Sequence, residues 1–156
     1  MALSAADKRA LRTGISVGIA VAAYGVSFGA LSVAAGLDIW QTCFLSLVLF
    51  SGGSQFAVIG IIASGGAAAG IPAIASSTFL ALRNGIYSMR VAPIVGGGPW
   101  WRRIVAAQLT IDESTAVAIA QDEKSAQKVG FWTTGIAIYI GWNLATFAGA
   151  LLGNLV

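Results

Sequence analysis

Residues 39–63 read IWQTCFLSLVLFSGGSQFAVIGIIA and contain no charged side chain. A helix needs roughly 20 apolar residues to cross a hydrocarbon core about 30 Å thick, at 1.5 Å per residue. This stretch is long enough, but Ser51-Gly52-Gly53-Ser54-Gln55 interrupts it near its middle. Unpaired backbone groups are expensive in lipid, so a break survives only where protein or a watery cavity satisfies it. Discontinuous helices of this kind line binding sites in membrane carriers. Two readings follow: a broken helix, or a kinked but continuous one.

The rest of the chain repeats the pattern. No Asp, Glu, Lys or Arg lies between Arg12 and Asp38, between Asp38 and Arg83, or after Lys128, leaving uncharged gaps of about 25, 44 and 28 residues. Charged residues make up 10% of the 156 residues, and mean hydropathy is +0.83. Soluble domains carry about 25%, so this chain lacks a polar shell. A signal peptide does not account for residues 14–35, because that apolar run exceeds a signal core and similar runs recur downstream. The expected fold class is all-α: a polytopic transmembrane helix bundle with about four to six membrane-inserted segments, some broken or re-entrant.

Residues 1–12 read as a short cationic, cytoplasmic start and residues 13–156 as the transmembrane domain. The first span, 13–36, carries two glycine pairs four residues apart, Gly14 with Gly18 and Gly25 with Gly29, and ends on Gly36. Such pairs let helices approach closely, or reflect only the commonness of Gly in membrane helices. Asp38 and Trp40 mark an outward-facing turn. Residues 64–70 (SGGAAAG) read as a flexible connection, and Pro72 suits the first turn of a new helix. Beyond the apolar residues 71–82 the helix either continues through Arg83 or the chain turns back; Pro93 and Gly96-Gly97-Gly98-Pro99 end that segment. Trp100, Trp101, Arg102 and Arg103 read as a cytoplasmic membrane edge. Residues 104–120 read as one helix, a short span or an interfacial one, with Gln108, Asp112 and Thr115 sharing a face. A hydrophilic loop, 121–129, precedes a final span at about 130–153.

Net charge is +3, and the cations flank apolar spans rather than forming a basic run, which does not suggest nucleic acid. The single cysteine, Cys43, leaves no internal disulfide or multi-Cys metal site. The absence of His removes His-based triads and most catalytic zinc sites. No nucleophile–base pair, phosphate loop or metal-ligand cluster is visible, so no enzyme activity, metal or cofactor is expected. Intramembrane polar groups then become the candidates, since a central Arg or Asp costs about 2.5–3.5 kcal/mol on insertion scales. Arg83 either pairs with a substrate carboxylate or pairs with headgroups, Asp112 or Glu113. Gln55 and Asn84 either hold an amino acid's polar groups or fill vacancies at a broken helix. The backbone of Gly52, Gly53 and Ser54 would hold the polar end of the ligand, with Phe56, Phe28 or Tyr87 on its apolar side. Asp112 and Glu113 point about 100° apart on a helix; they are candidate proton carriers for coupled transport, or acids at a helix end in water.

Five blocks in register resemble the AzlC family of branched-chain amino acid permeases. They are FGALSVAAGL from Phe28, LVLFSGGSQFAVIGIIASGG from Leu47, ALRNGIYSMRVAPI from Ala81, QLTIDESTAVA from Gln108 and YIGWNLATFAGALLGN from Tyr139. The third block keeps Arg83 and Tyr87 but has Ala81 and Asn84 where the family pattern favours Asn and His. The resemblance implies export of branched-chain or similar small apolar amino acids across the bacterial cytoplasmic (inner) membrane. It also implies a small AzlD-like membrane subunit as partner, and a chain lacking the family's C-terminal part. The alternative function is a non-transporting scaffold or assembly subunit of a larger complex.

Overall fold

Asp38 starts the second apolar segment by capping it. Its carboxylate accepts from the Gln41 amide at 2.8 Å, and the Gln41 side chain accepts from the Asp38 amide at 3.0 Å. This reciprocal box satisfies two orphan donors and contributes about 1 kcal/mol. Gly36, at φ 97°, makes the turn that leads into it, a backbone geometry that side chains disfavour. Ser4 and Asp7 form a similar box at the N-terminus, with bonds of 2.9 and 3.1 Å.

The computed structural model describes residues 3–155, the side chain of residue 67 excepted; residues 1, 2 and 156 of the expected end segments lie outside that range. The helices are α1 (Ala5–Ala22), α2 (Tyr24–Ala34), α3 (Ile39–Val48), α4 (Gly52–Gly65), α5 (Gly70–Val95), α6 (Trp100–Gln108), α7 (Asp112–Ile119) and α8 (Lys124–Gly153). No strand occurs among the described residues. The stretches Ala5–Ala34 and Lys124–Gly153, 30 residues each, are long and apolar enough to cross a membrane. Many large apolar side chains point outward, including Ile71 (82% exposed), Trp40 (79%) and Phe79 (75%). Water would penalise that surface, whereas lipid accommodates it. The fold is a helical membrane bundle.

The chain forms two compact units, Met1–Ala20 with Asn84–Tyr139, and Val21–Arg83 with Ile140–Val156. In the second of these, α2 and the end of α8 run parallel at close range. A Cβ on Gly29 would strike the Thr146 carbonyl and the Ala150 amide, and one on Gly149 would strike the Val26 carbonyl. Gly25 lies against Trp142 and Ala145, and Gly153 against Ala30. The glycine spacing of the first span is therefore a packing face.

Helices α3 and α4 form a hairpin in the same unit. Ser46, near the end of α3, bonds to Thr146 at 3.4 Å, and Gly52, at the start of α4, faces the Trp142 ring. Helix α4 then returns, so that Ile62 and Gly66 share a cavity with Ala35, Gly36 and Gln41 at the start of α3. Helix α3 has 10 residues and so reaches about 15 Å. Two points depart from the sequence expectation. The break lies at Leu49-Phe50-Ser51, and Gly52 to Gln55 already form the first turn of α4. Residues 66–69 are a 3₁₀ turn rather than a flexible link.

The other unit holds a second hairpin. Arg102 of α6 stacks over the Trp132 ring at 5.4 Å, Leu109 packs on Gly135, and Val117 of α7 packs back on Gly130. The contacts on α8 advance and then retreat, so the chain leaves and returns at one end. The single helix expected over 104–120 is therefore two, parted at Leu109-Thr110-Ile111, and the face proposed for Gln108, Asp112 and Thr115 does not exist. The Ser114 hydroxyl makes this possible by donating to the Leu109 carbonyl at 2.6 Å and accepting from the Ile111 amide at 3.1 Å. Helix α5 runs straight through Arg83, and Pro93 lies inside its last turns instead of ending it.

Candidate functional site

The tip of the α3–α4 hairpin gathers most of the expected residues. Ser51 is the N-cap of α4, yet its side chain makes no capping bond. The amides of Gly52, Gly53 and Ser54 are then the orphan donors of the first turn, carrying the positive end of a 14-residue helix. The Ser54 hydroxyl is turned away from them, towards Ser51 Oγ at 3.1 Å. Gly53 is exposed, so the tip opens outward there. The Arg83 guanidinium stands at that opening: one of its nitrogens lies 3.3 Å from where a Gly53 Cβ would be. A side chain at 53 would close the approach. The guanidinium and the helix N-terminus favour the same ligand, an anion.

Gln55 is fully buried behind the tip. Its amide nitrogen donates to the Leu49 carbonyl at 2.6 Å and the Ser46 carbonyl at 3.3 Å. It thus satisfies backbone left open by the break, one of its two expected roles. Its Oε1 has no hydrogen-bond partner among the described residues. A buried amide oxygen without a donor costs about 1–3 kcal/mol, so a donor group arriving at the tip would be stabilised there.

Phe56, half-buried, meets Phe28 edge-on at 5.7 Å and Trp142 at 6.3 Å. Phe28 is wholly buried and packs on Trp142 at 6.2 Å, so it supports the tip from within rather than lining an open surface. Trp142 was not among the site residues expected from sequence. Its signal was position: a Trp deep within a long apolar helix, away from the interfaces where Trp usually sits.

The remaining candidates fall elsewhere. Asn84 and Tyr87 lie on α5 in the other unit, both half-buried, and the Asn84 Oδ1 has no hydrogen-bond partner among the described residues. Asp112 and Glu113 occupy the first turn of α7, half-buried, where the helix dipole favours negative charge. Beside them the tip residues Leu109, Thr110 and Ile111 are all buried. No group of three or more His, Cys, Asp or Glu that could hold a metal occurs among the described residues.

Apolar helices, a lipid-compatible surface and half-length helical hairpins define a helical membrane protein built around broken helices. The chain belongs to the AzlC family: the family model described as AzlC protein matches residues 16–156. That family is associated with membrane proteins of branched-chain amino acid transport and is of transporter rather than enzyme type. No curated protein and no solved structure matches the chain.

Proposed function

We propose that this chain is a transporter subunit that exports branched-chain or other small apolar amino acids across the bacterial cytoplasmic membrane, coupled to an ion. The observation that carries the reading is the uncapped N-terminus of α4, met at Gly53 by the Arg83 guanidinium. An amino acid's carboxylate suits the first-turn amides and Arg83. Its ammonium suits Gln55 Oε1, and its apolar side chain lies towards Phe56. In this reading Ala5–Ala34, α5 and α8 cross the bilayer, and each hairpin is a re-entrant segment. Backbone groups at such tips are tolerated where protein or a ligand satisfies them. A small membrane subunit resembling the AzlD proteins is the expected partner.

Vesicles holding the chain together with that partner are expected to move labelled leucine, isoleucine or valine faster than empty vesicles. Equal flux in both would overturn the transport reading and favour a scaffold. For coupling, the acids at the second tip are assigned the proton. Asp112→Asn is expected to retain leucine exchange while losing accumulation driven by an imposed pH gradient. Gradient-driven accumulation unchanged in Asp112→Asn and in Glu113→Gln would remove both residues from that role.

A further inference from the structure

Eight of the nine Lys and Arg residues fall in the unit that contains α6 and α7, since only Arg83 lies in the other. Within that unit the end of α5, the glycines that follow it and the later part of α6 line an open cavity of about 320 Å³. Its wall has two characters. Val91, Ala92, Val95, Ala106 and Ala107 make an apolar side, while Ser88, Arg103 and the backbone of Gly96 and Gly97 supply the polar groups. The Lys128 ammonium stands 3.9 Å from where a Gly96 Cβ would be, so a second cation stands on the polar side. Arg103 and Lys128 are exposed and make no ion pair or hydrogen bond among the described residues, and no acid lines the cavity. Arg102, by contrast, is engaged over the Trp132 ring. Trp100 and Trp101, 73% and 56% exposed, flank the rim and mark headgroup depth.

A ligand fitting both walls is amphipathic, with an anionic head and an apolar tail. We infer that this cavity binds an anionic phospholipid, its phosphate held by Arg103 and Lys128 and part of an acyl chain lying against Val91, Val95 and Ala106. Basic pockets between membrane helices on the cytoplasmic side recognise lipid headgroups in this way, and attraction to an anionic leaflet adds to it. A free phosphate shares the head chemistry but leaves the apolar wall unused, so the lipid is the assigned occupant.

The test uses the purified chain in a neutral detergent, titrated separately with phosphatidylglycerol, phosphatidylcholine and inorganic phosphate. Bound lipid is counted by native mass spectrometry and thermal stability is followed in parallel. Phosphatidylglycerol is expected to bind at least fivefold more tightly than phosphatidylcholine and to raise the melting temperature; inorganic phosphate is expected to do neither. Arg103→Gln with Lys128→Gln is expected to abolish that preference, while Lys8→Gln with Arg9→Gln, which alters cations that do not line the cavity, is expected to keep it. Ala107→Trp, which fills the apolar side, is expected to displace the lipid without changing the cations. An unchanged preference in the Arg103/Lys128 variant, an equal loss in the Lys8/Arg9 variant, or an equal response to inorganic phosphate would each overturn the assignment. Should the Arg103/Lys128 variant fail to fold, the Ala107→Trp comparison decides: retained lipid refutes the site.

Discussion

Arg83→Gln is expected to weaken leucine binding by about 10- to 100-fold, corresponding to loss of one charge-assisted, two-point contact. The substitution leaves a neutral, shorter polar side chain and removes the positive charge at Gly53. Isothermal titration or a scintillation proximity assay with labelled leucine measures it. A structural role for Arg83 would also lower binding, so the decisive readout is selectivity. The protein is expected to prefer leucine to leucinamide, which lacks the carboxylate, and Arg83→Gln is expected to bind the two almost equally. Arg83→Lys should restore part of the preference, because a point charge replaces only the electrostatic half of a forked contact. Preserved discrimination in Arg83→Gln would place the carboxylate elsewhere and sink the site at the α3–α4 tip.

The second large effect concerns packing. Gly149→Ala is expected to destabilise the protein by about 3 kcal/mol, towards the upper end for overpacking. Its new methyl group would meet the carbonyl of Val26, a backbone atom that cannot rotate aside. Gly29→Ala meets backbone in the same way, at Thr146 and Ala150, and should behave alike. Two helical glycines serve as controls, since nothing lies within 4 Å of a Cβ at Gly60 or Gly85. Ala at either of these is expected to be neutral or stabilising by up to about 1 kcal/mol, because it restricts the unfolded chain. Thermal unfolding in detergent of the four variants measures the contrast. Equal melting temperatures for Gly149→Ala and Gly60→Ala would refute close α2–α8 packing.

What could be read without coordinates followed from solvation. Uncharged runs of about 25, 44 and 28 residues exist where hydrocarbon replaces water, so the helical membrane class was visible in one dimension. The interruption after Phe50 was visible too, because Ser-Gly-Gly-Ser is a poor interior for a helix in lipid. Its position was missed by one turn, since two glycines can open a helix as readily as end one; Leu49, at φ −90° and ψ 72°, and Ser51, at φ −157° and ψ 104°, leave helical geometry instead. The second break gave no warning. Leu109-Thr110-Ile111 holds neither Gly nor Pro, and the hydroxyl of Ser114 supplies the missing partners.

Sequence by itself determined the solvent, the all-helical class and the cost of each buried polar group, because these depend on residue chemistry summed along the chain. Tertiary structure alone decided that each broken segment doubles back, since the direction taken after a break is set by the surface the next helix packs on. Gly130, Gly135 and Trp142 on α8 supply those surfaces. It also decided that Arg83, 30 residues beyond Gly53 in the chain, stands at the mouth of α4. A charge in an apolar helix announces its expense in one dimension; the partner that justifies it is found only in three.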